Sequence, residues 1–363
     1  MSIKVTSLFS GGGGLDLGFK RTGYDIIWAS DINSNAVATY KRNLSNEIIC
    51  GDITKMCNAD IPKADVVIGG PPCQSFSLAG NRNVTDKRGQ LIWRYMEIIE
   101  YIHPKAFVFE NVTGLLSAKN ENKELIFDLL KEEFKRKGYN VNAKVLNAAD
   151  YGVPQKRKRV IVVGLASEKK FEFPAPTFGN SASGLKPYVS VKEALDDLPE
   201  AATDENARVK YDKDPFTDYQ KLMRKDGTKD VSEHFISKLS ELDMYVIAHV
   251  KPGGNYRDIP SDVNSKRIRR LQRDGGHTTC YGRLDPDKPA YTINTYFNRP
   301  NVGCNIHYSE PRLITVREAL RLQSFPDTYE IVSTSKQGRN LIVGNAVPPL
   351  LAETIAKKLK EYL

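Results

Sequence analysis

The chain has 363 residues, 40% hydrophobic and 27% charged, a balance that excludes a disordered or fibrous protein and leaves room for two domains. No apolar run approaches the roughly 18 residues of a membrane span, and MSIKVTSLFSGGGG is too glycine-rich for a signal peptide, so a cytoplasmic protein without a membrane partner is expected. Lys and Arg number 53 against 44 Asp and Glu, and this net +9 suits a polyanionic partner.

In chain order, KVTSLF (4–9), DIIWAS (25–30), EIIC (47–50), DVVIGG (65–70), KAFVFE (105–110) and RVIVVGL (159–165) read as strands. NAVATYKRN (35–43), LIWRYMEIIEYI (91–102) and ELIFDLLKEEFKRKG (124–138) read as helices between them. Continuous apolar strands alternating with helices predict an α/β domain, a doubly wound, mostly parallel sheet covered on both faces. FPAPTFGNSASGLKP (173–187) reads as a linker, and the chain to about 312 is polar, turn-rich and basic in places, as in NSKRIRRLQRDGGH (264–277). LIVGNAVPPLLAETIAKKLKEYL (341–363) predicts a turn and an amphipathic helix with the texture of the first half. The expected division is a core domain over 1–173, a smaller irregular domain over 174–335, and a C-terminal segment, 336–363, returning to the first domain.

Several strand ends carry chemistry. LFSGGGGLDLGF (8–19) runs from a strand through a glycine turn into a helix, where close backbone approach and unpaired N–H groups favour a ligand. The dinucleotide spacing G-x-G-x-x-G fits neither register, because Gly11 and Gly13 lead to Asp16 while Gly12 and Gly14 lead to Leu17. Asp31 and Asp52 stand at the ends of the second and third strands. A glycine loop with two such acids and no phosphate motif suggests an adenosine ligand without phosphates, of which S-adenosylmethionine is the commonest. In GGPPCQSFSLAG (69–80) two prolines fix the backbone ahead of Cys73, so the thiol is aimed by covalent geometry. Glu110 ends the next apolar strand, and a thiol beside a strand-end acid reads as a catalytic pair. Cys50, Cys57, Cys280 and Cys304 have no such setting, and with no Cys-x-x-Cys pair no metal site is expected.

Together these stretches resemble the cytosine-C5 DNA methyltransferase family, of the bacterial restriction-modification type. FSGGGG is similar to its first motif, PPCQSFS to its fourth, ENV (110–112) to its sixth, QKRKR (155–159) to its eighth, REALRLQSFPD (317–327) to its ninth and GNAVPP (344–349) to its tenth. They occur in the family's order across nearly the whole chain, and about 174–312 matches only as its variable recognition region. Two departures are an extra glycine at Gly12 and Ile32 where relatives often carry tryptophan.

The resemblance implies the S-adenosylmethionine-dependent, Rossmann-like methyltransferase fold and methyl transfer to C5 of a cytosine flipped out of a specific site in double-stranded DNA. Cys73 would add to C6 of the base, Glu110 would hold N3 and the amino group, and Arg157 and Arg159 would hold O2 and nearby phosphate. The S-adenosylmethionine pocket would comprise Phe9, Gly11, Gly13, Gly14, Leu15, Asp31, Ile32, Asp52, Ile53, Pro72, Leu91 and Asn345. DNA would meet Gln74, Ser77, Arg283 and Thr292, the last in a Thr-Ile doublet within YTINTY (291–296). A monomer is expected, paired in its system with a cognate restriction endonuclease but with no physical complex implied. A tRNA-modifying relative is disfavoured by the missing Cys-Phe-Thr signature, a retired scaffold by the presence of Cys73 and Glu110, and an NAD enzyme by the glycine spacing.

Overall fold

A computed structural model describes residues 2–72, 90–120, 122–180, 184–225, 227–333 and 335–363. Two compact units are present, one formed by residues 1–147, 158–175 and 349–363, the other by 148–157 and 176–348.

The first unit is built on a seven-stranded sheet. Its strands are β1 (Ile3–Leu8), β2 (Tyr24–Asp31), β3 (Ile48–Cys50), β4 (Val66–Gly69), β5 (Ala106–Asn111), β6 (Asn140–Asn147) and β7 (Lys158–Leu165), in the order β3-β2-β1-β4-β5-β7-β6. All six strands read from the sequence are present. β1 to β5 pair in parallel, and β7 runs antiparallel to both β5 and β6. β4 and β5 are buried at every position, which is why they read as unbroken apolar runs. β6, the strand that the apolar pattern does not reveal, is a half-exposed edge whose sequence NVNAKVLN alternates polar and apolar residues with no continuous apolar run.

Helices α1 (Gly14–Arg21), α2 (Ser34–Asn43), α3 (Gln90–Ile102) and α4 (Ile126–Arg136) connect these strands. Asn33 caps α2 by accepting from the amides of Asn35 and Ala36. α3 buries Ile92, Tyr95, Met96 and Ile99, residues at helical spacing, in a core with Phe107, Phe109, Leu130 and Phe134. Across the sheet, Phe19 of α1 packs on Tyr24, whose hydroxyl donates to the carbonyl of Ala356 in the C-terminal helix Pro349–Leu359.

The second unit is less regular, with short strand pairs and helices of five to ten residues. One small core gathers Val246, Ile247, Tyr256, Ile268, Tyr281 and Ile306. Its helix Val316–Leu322 buries charge: Arg321 is held by Asp197 at 2.8 Å and Asp327 at 2.6 Å, and Arg312 meets Glu318 at 2.7 Å. Residues 336–348 group with this unit, and GNAVPP enters through a helix, Lys336–Asn345, where the sequence reads as a turn. Among the described residues no helix is long and apolar enough to cross a membrane.

The contact between α1 and the C-terminal helix is tight at Gly18, where an added Cβ would lie 2.4 Å from the Ala352 Cβ and 2.5 Å from the Glu353 nitrogen. Alanine gains about 1 kcal/mol in helix propensity, but overpacking of this kind costs about 1–3 kcal/mol. Gly18→Ala should therefore lower the thermal midpoint; a midpoint at or above wild type would mean that the two helices separate freely.

Candidate active site

The strand order reverses between β1 and β4, and in an open α/β sheet the ligand crevice lies beyond the carboxyl ends at such a switch point. Both strands end in special backbone. β1 runs into Phe9, Gly11 and Gly13, at φ +55°, +54° and +87°, before Gly14 opens α1. Left-handed backbone of this kind suits glycine, and a Cβ on Gly13 would also strike Leu44 and Tyr40. β4 runs into Gly70, Pro71 and Pro72; Cys73, Gln74 and Ser77 lie outside the described residues.

Asp31 ends β2 beside the glycine turn. One carboxylate oxygen accepts from the Gly11 amide and the other from the Asn33 amide, both at 2.8 Å. Burial pushes its carboxyl above the usual range, and these amide bonds pull it back. Asp52 lies two residues past β3 and caps a short helical turn, accepting from the Thr54 amide at 3.0 Å and its hydroxyl at 2.7 Å; these bonds hold its carboxyl below the usual range. Ile32 is 70% exposed, whereas Leu15 and Ile53 are buried. Phe9 and Leu91 are half-buried against the core, and Pro72 is exposed.

Glu110 and Arg159 are brought together. Antiparallel pairing sets Glu110 opposite Ile161 and Asn111 opposite Val160, so the start of β7 arrives at the carboxyl edge. Arg159 Nε stands 3.0 Å from Glu110 Oε1. A Cβ on Gly70 would lie 3.1 Å from Glu110 Oε2, so this carboxylate borders the backbone leading to Cys73. Sequence reading missed Asn111, which is buried and donates to the Pro71 carbonyl at 3.0 Å, fixing the same stretch. Its signal was its place inside ENV, beside the acid.

Two expected contacts are corrected in the second unit. Arg157 is 1% exposed and donates to the carbonyls of Ile293 at 2.9 Å and Gly344 at 2.8 Å, so its guanidinium faces protein backbone instead of a base. Arg283 is 6% exposed and spends four bonds on the carbonyls of Ile247, Val250, His307 and Glu310. It ties the end of helix Glu241–His249 to the loop at His307 and Glu310 and has no edge left for guanine. Thr292 is exposed and donates to the Lys156 carbonyl at 2.7 Å, and Asn345 is exposed at the end of its helix.

The model of the C-5 cytosine-specific DNA methylases matches residues 3–361. The chain belongs to this family. A Type II methyltransferase of Fusobacterium nucleatum, M.FnuDI, is 37% identical over 371 residues, covering 99% of this chain and 95% of that protein. M.NgoFVII of Neisseria gonorrhoeae, also a Type II methyltransferase, is 34% identical over 362 residues, covering 98% and 86%. A crystal structure described as a DNA modification methyltransferase of an E. coli prophage superimposes with a TM-score of 0.75 at 25% identity, covering 99% of both chains. The S. pombe Dnmt2 methyltransferase shares the fold at a TM-score of 0.59 and 17% identity, covering 99% of both chains.

In this methylase the Cys304 thiol is poorly placed for nucleophilic work. Cys304 is buried, which pushes its thiol up to about 12. Beneath the glycine turn, Asp16 of α1 is fully buried and accepts from the Tyr40 hydroxyl at 2.9 Å. Burial pushes its carboxyl up to about 6, hydrogen bonds offset part of that rise, and the Asp31 charge adds to it. A carboxyl raised in the folded state stabilises fully below its unfolded value near 3.8, and that contribution is lost as pH rises through 6. Asp16→Asn should thus be more stable than wild type at pH 8, by about 1–3 kcal/mol, with the gain fading by pH 4. Denaturant titrations at both pH values check this; an equal difference at the two would mean that Asp16 does not titrate in this window.

Proposed function

We propose that this methylase transfers a methyl group from S-adenosylmethionine to C5 of a cytosine flipped out of a specific duplex DNA site, through an adduct between Cys73 and C6. The observation that carries the reading is the Glu110–Arg159 pair, at 3.0 Å, with Glu110 against Gly70, which leads into Pro71 and Pro72. The proline-fixed thiol follows one residue later.

The residues present fit the cofactor. Each Asp31 oxygen has one amide donor and retains acceptor capacity, which suits a ribose diol. Exposed Ile32 would offer an apolar face to adenine, Asp52 would meet its amino group, and Phe9, Gly11, Gly13, Gly14, Leu15, Ile53, Pro72 and Leu91 would complete the proposed pocket. When bound, S-adenosylmethionine supplies an electrophilic methyl on its sulfonium.

Cytosine C5 is too weak a nucleophile to take that methyl unaided. Addition of the Cys73 thiolate to C6 makes an enamine-like ring whose C5 can attack. Glu110 holds N3 and the amino group of the activated ring, and Arg159 fixes Glu110 and lies on the O2 side. Loss of the C5 proton then expels the thiolate and restores the ring. A stacked base exposes neither face, so the cytosine must leave the duplex. The first unit carries this chemistry and the second chooses the site, with DNA also meeting Gln74, Ser77 and Thr292. The exposed cations of helix Lys266–Asp274, among them Arg269 and Arg270, suit phosphates. Similarity to Type II methyltransferases supports a role in protecting host DNA from a partner endonuclease, and the same proposal has the chain act in the cytoplasm as a monomer.

Cys73→Ala should abolish methyl transfer while DNA and cofactor affinities stay near wild type, since it removes the nucleophile and no phosphate contact. A tritiated-methyl assay on duplex DNA reads this, and appreciable residual turnover removes the covalent route. Asp31→Ala should weaken S-adenosylmethionine binding more than Asp52→Ala, because a diol offers a carboxylate two hydrogen bonds and an amino group one, each worth about 1.5–3 kcal/mol to a charged acceptor. Calorimetric titration ranks the two, and a larger loss at Asp52 reverses the assignment.

A further inference from the structure

Two motif stretches, QKRKR and GNAVPP, grip one backbone segment of the second unit, and a third bonds to Gln155 of the first stretch. Gln155, fully buried, accepts from the Ile293 amide at 3.0 Å and donates to the Leu322 carbonyl at 3.2 Å. Arg157 grips the carbonyls of Ile293 and Gly344. Gly344 packs so closely that an added Cβ would lie 2.5 Å from the Thr295 nitrogen and 2.6 Å from the Asn294 carbonyl carbon. Ladder bonds from Lys156 to the Ala290 carbonyl, and from Ala290 to the Pro154 carbonyl, fix the start of the segment. The two tyrosines of the segment behave in the opposite way: Tyr291 is 52% exposed and Tyr296 46%, with the Arg299 guanidinium over the Tyr296 ring at 5.1 Å, while Ile293 is buried and the exposed Thr292 ties its hydroxyl to the Lys156 carbonyl.

A segment whose backbone is tied down and whose two tyrosines face outward, one of them with an arginine over its ring, is preorganised for recognition. We infer that Gln155, Arg157 and Gly344 are positioning residues that hold residues 291–296 in one conformation, so that Tyr291, Thr292 and Tyr296 meet the duplex in a fixed register. This rests on the reading that the chain methylates duplex DNA. The buried guanidinium matters because it joins two carbonyls from separate stretches, and a shorter, single-point ammonium cannot span both.

The test uses the full chain with two variants that disturb the segment in different ways. Arg157→Lys removes one or both carbonyl bonds, and Gly344→Ala pushes residues 294 and 295 while removing no polar group and keeping a good helix former. Methylation mapping on mixed-sequence DNA, KM for DNA, kcat and S-adenosylmethionine affinity are measured for each. In both variants KM for DNA should rise by about tenfold, the methylated site should relax at one or more positions, and cofactor affinity should stay within about twofold. If Arg157→Lys does not fold, Gly344→Ala decides alone. Unchanged site choice and KM in a folded variant, or a loss confined to kcat, overturns the inference. Wild type serves as the separate control: if it does not methylate cytosine C5 in duplex DNA, the functional reading itself fails.

Discussion

The antiparallel pairing of β7 on β5 is the constraint on which the site depends. In the parallel part of the sheet, only residues that leave a strand can reach the carboxyl edge, as Asp31 and Glu110 do. β7 runs the other way, so its first residues arrive there instead. The register then decides which of them faces Glu110, and a slip of one residue would turn Arg159 to the opposite face of the sheet. β6 pairs along the far side of β7, with Leu146 opposite Arg159, and holds that register from the outside. A half-exposed edge strand that contributes no expected site residue thus fixes the geometry of an ion pair bordering Gly70.

Charge plays two different parts in this chain. Arg157, Arg283, Arg317 and Arg321 are buried, and their guanidinium groups are spent on backbone carbonyls or on Asp197 and Asp327. A buried guanidinium that lost its partners would leave an uncompensated charge in the interior, which costs about 3–5 kcal/mol. These residues therefore hold the irregular second unit together, where a short-helix, short-strand architecture has little regular hydrogen bonding to do so. The cations left for a polyanion are those at the surface, such as Lys266, Arg267, Arg269, Arg270 and Arg273, although the last two also pair with Asp274.

This explains what the sequence made legible. Strands buried on both faces print as apolar runs, and the helices that cover them print at helical spacing, so the parallel sheet and its helices could be read directly. The motif order exposed the family and the edge of the sheet that carries Asp31, Glu110 and Arg159. Burial of arginine does not print at all. Arg283 sits among turns in a basic region and looks like a reader of guanine, yet four carbonyls close around it. GNAVPP contains glycine, asparagine and proline and reads as a turn, but its first two residues finish a helix whose glycine is selected by close packing.

QKRKR shows why a charge run resists a single reading. Along the run Gln155 and Arg157 are buried and Arg159 is half-buried, while Lys156 and Lys158 are exposed, the alternation of an extended chain. The run is therefore two sets of residues with opposite surroundings, and only the exposed set fits the picture of a solvated basic face. Within the inward set the partners differ again: Gln155 and Arg157 bond to backbone in the second unit, and Arg159 pairs with a carboxylate in the first. Because the chain passes from one unit to the other between Arg157 and Lys158, five consecutive residues supply both the backbone grip on residues 290–295 and the cation beside Glu110. Their spacing of two is what each task requires, since an odd step would exchange the buried side chains for the exposed lysines.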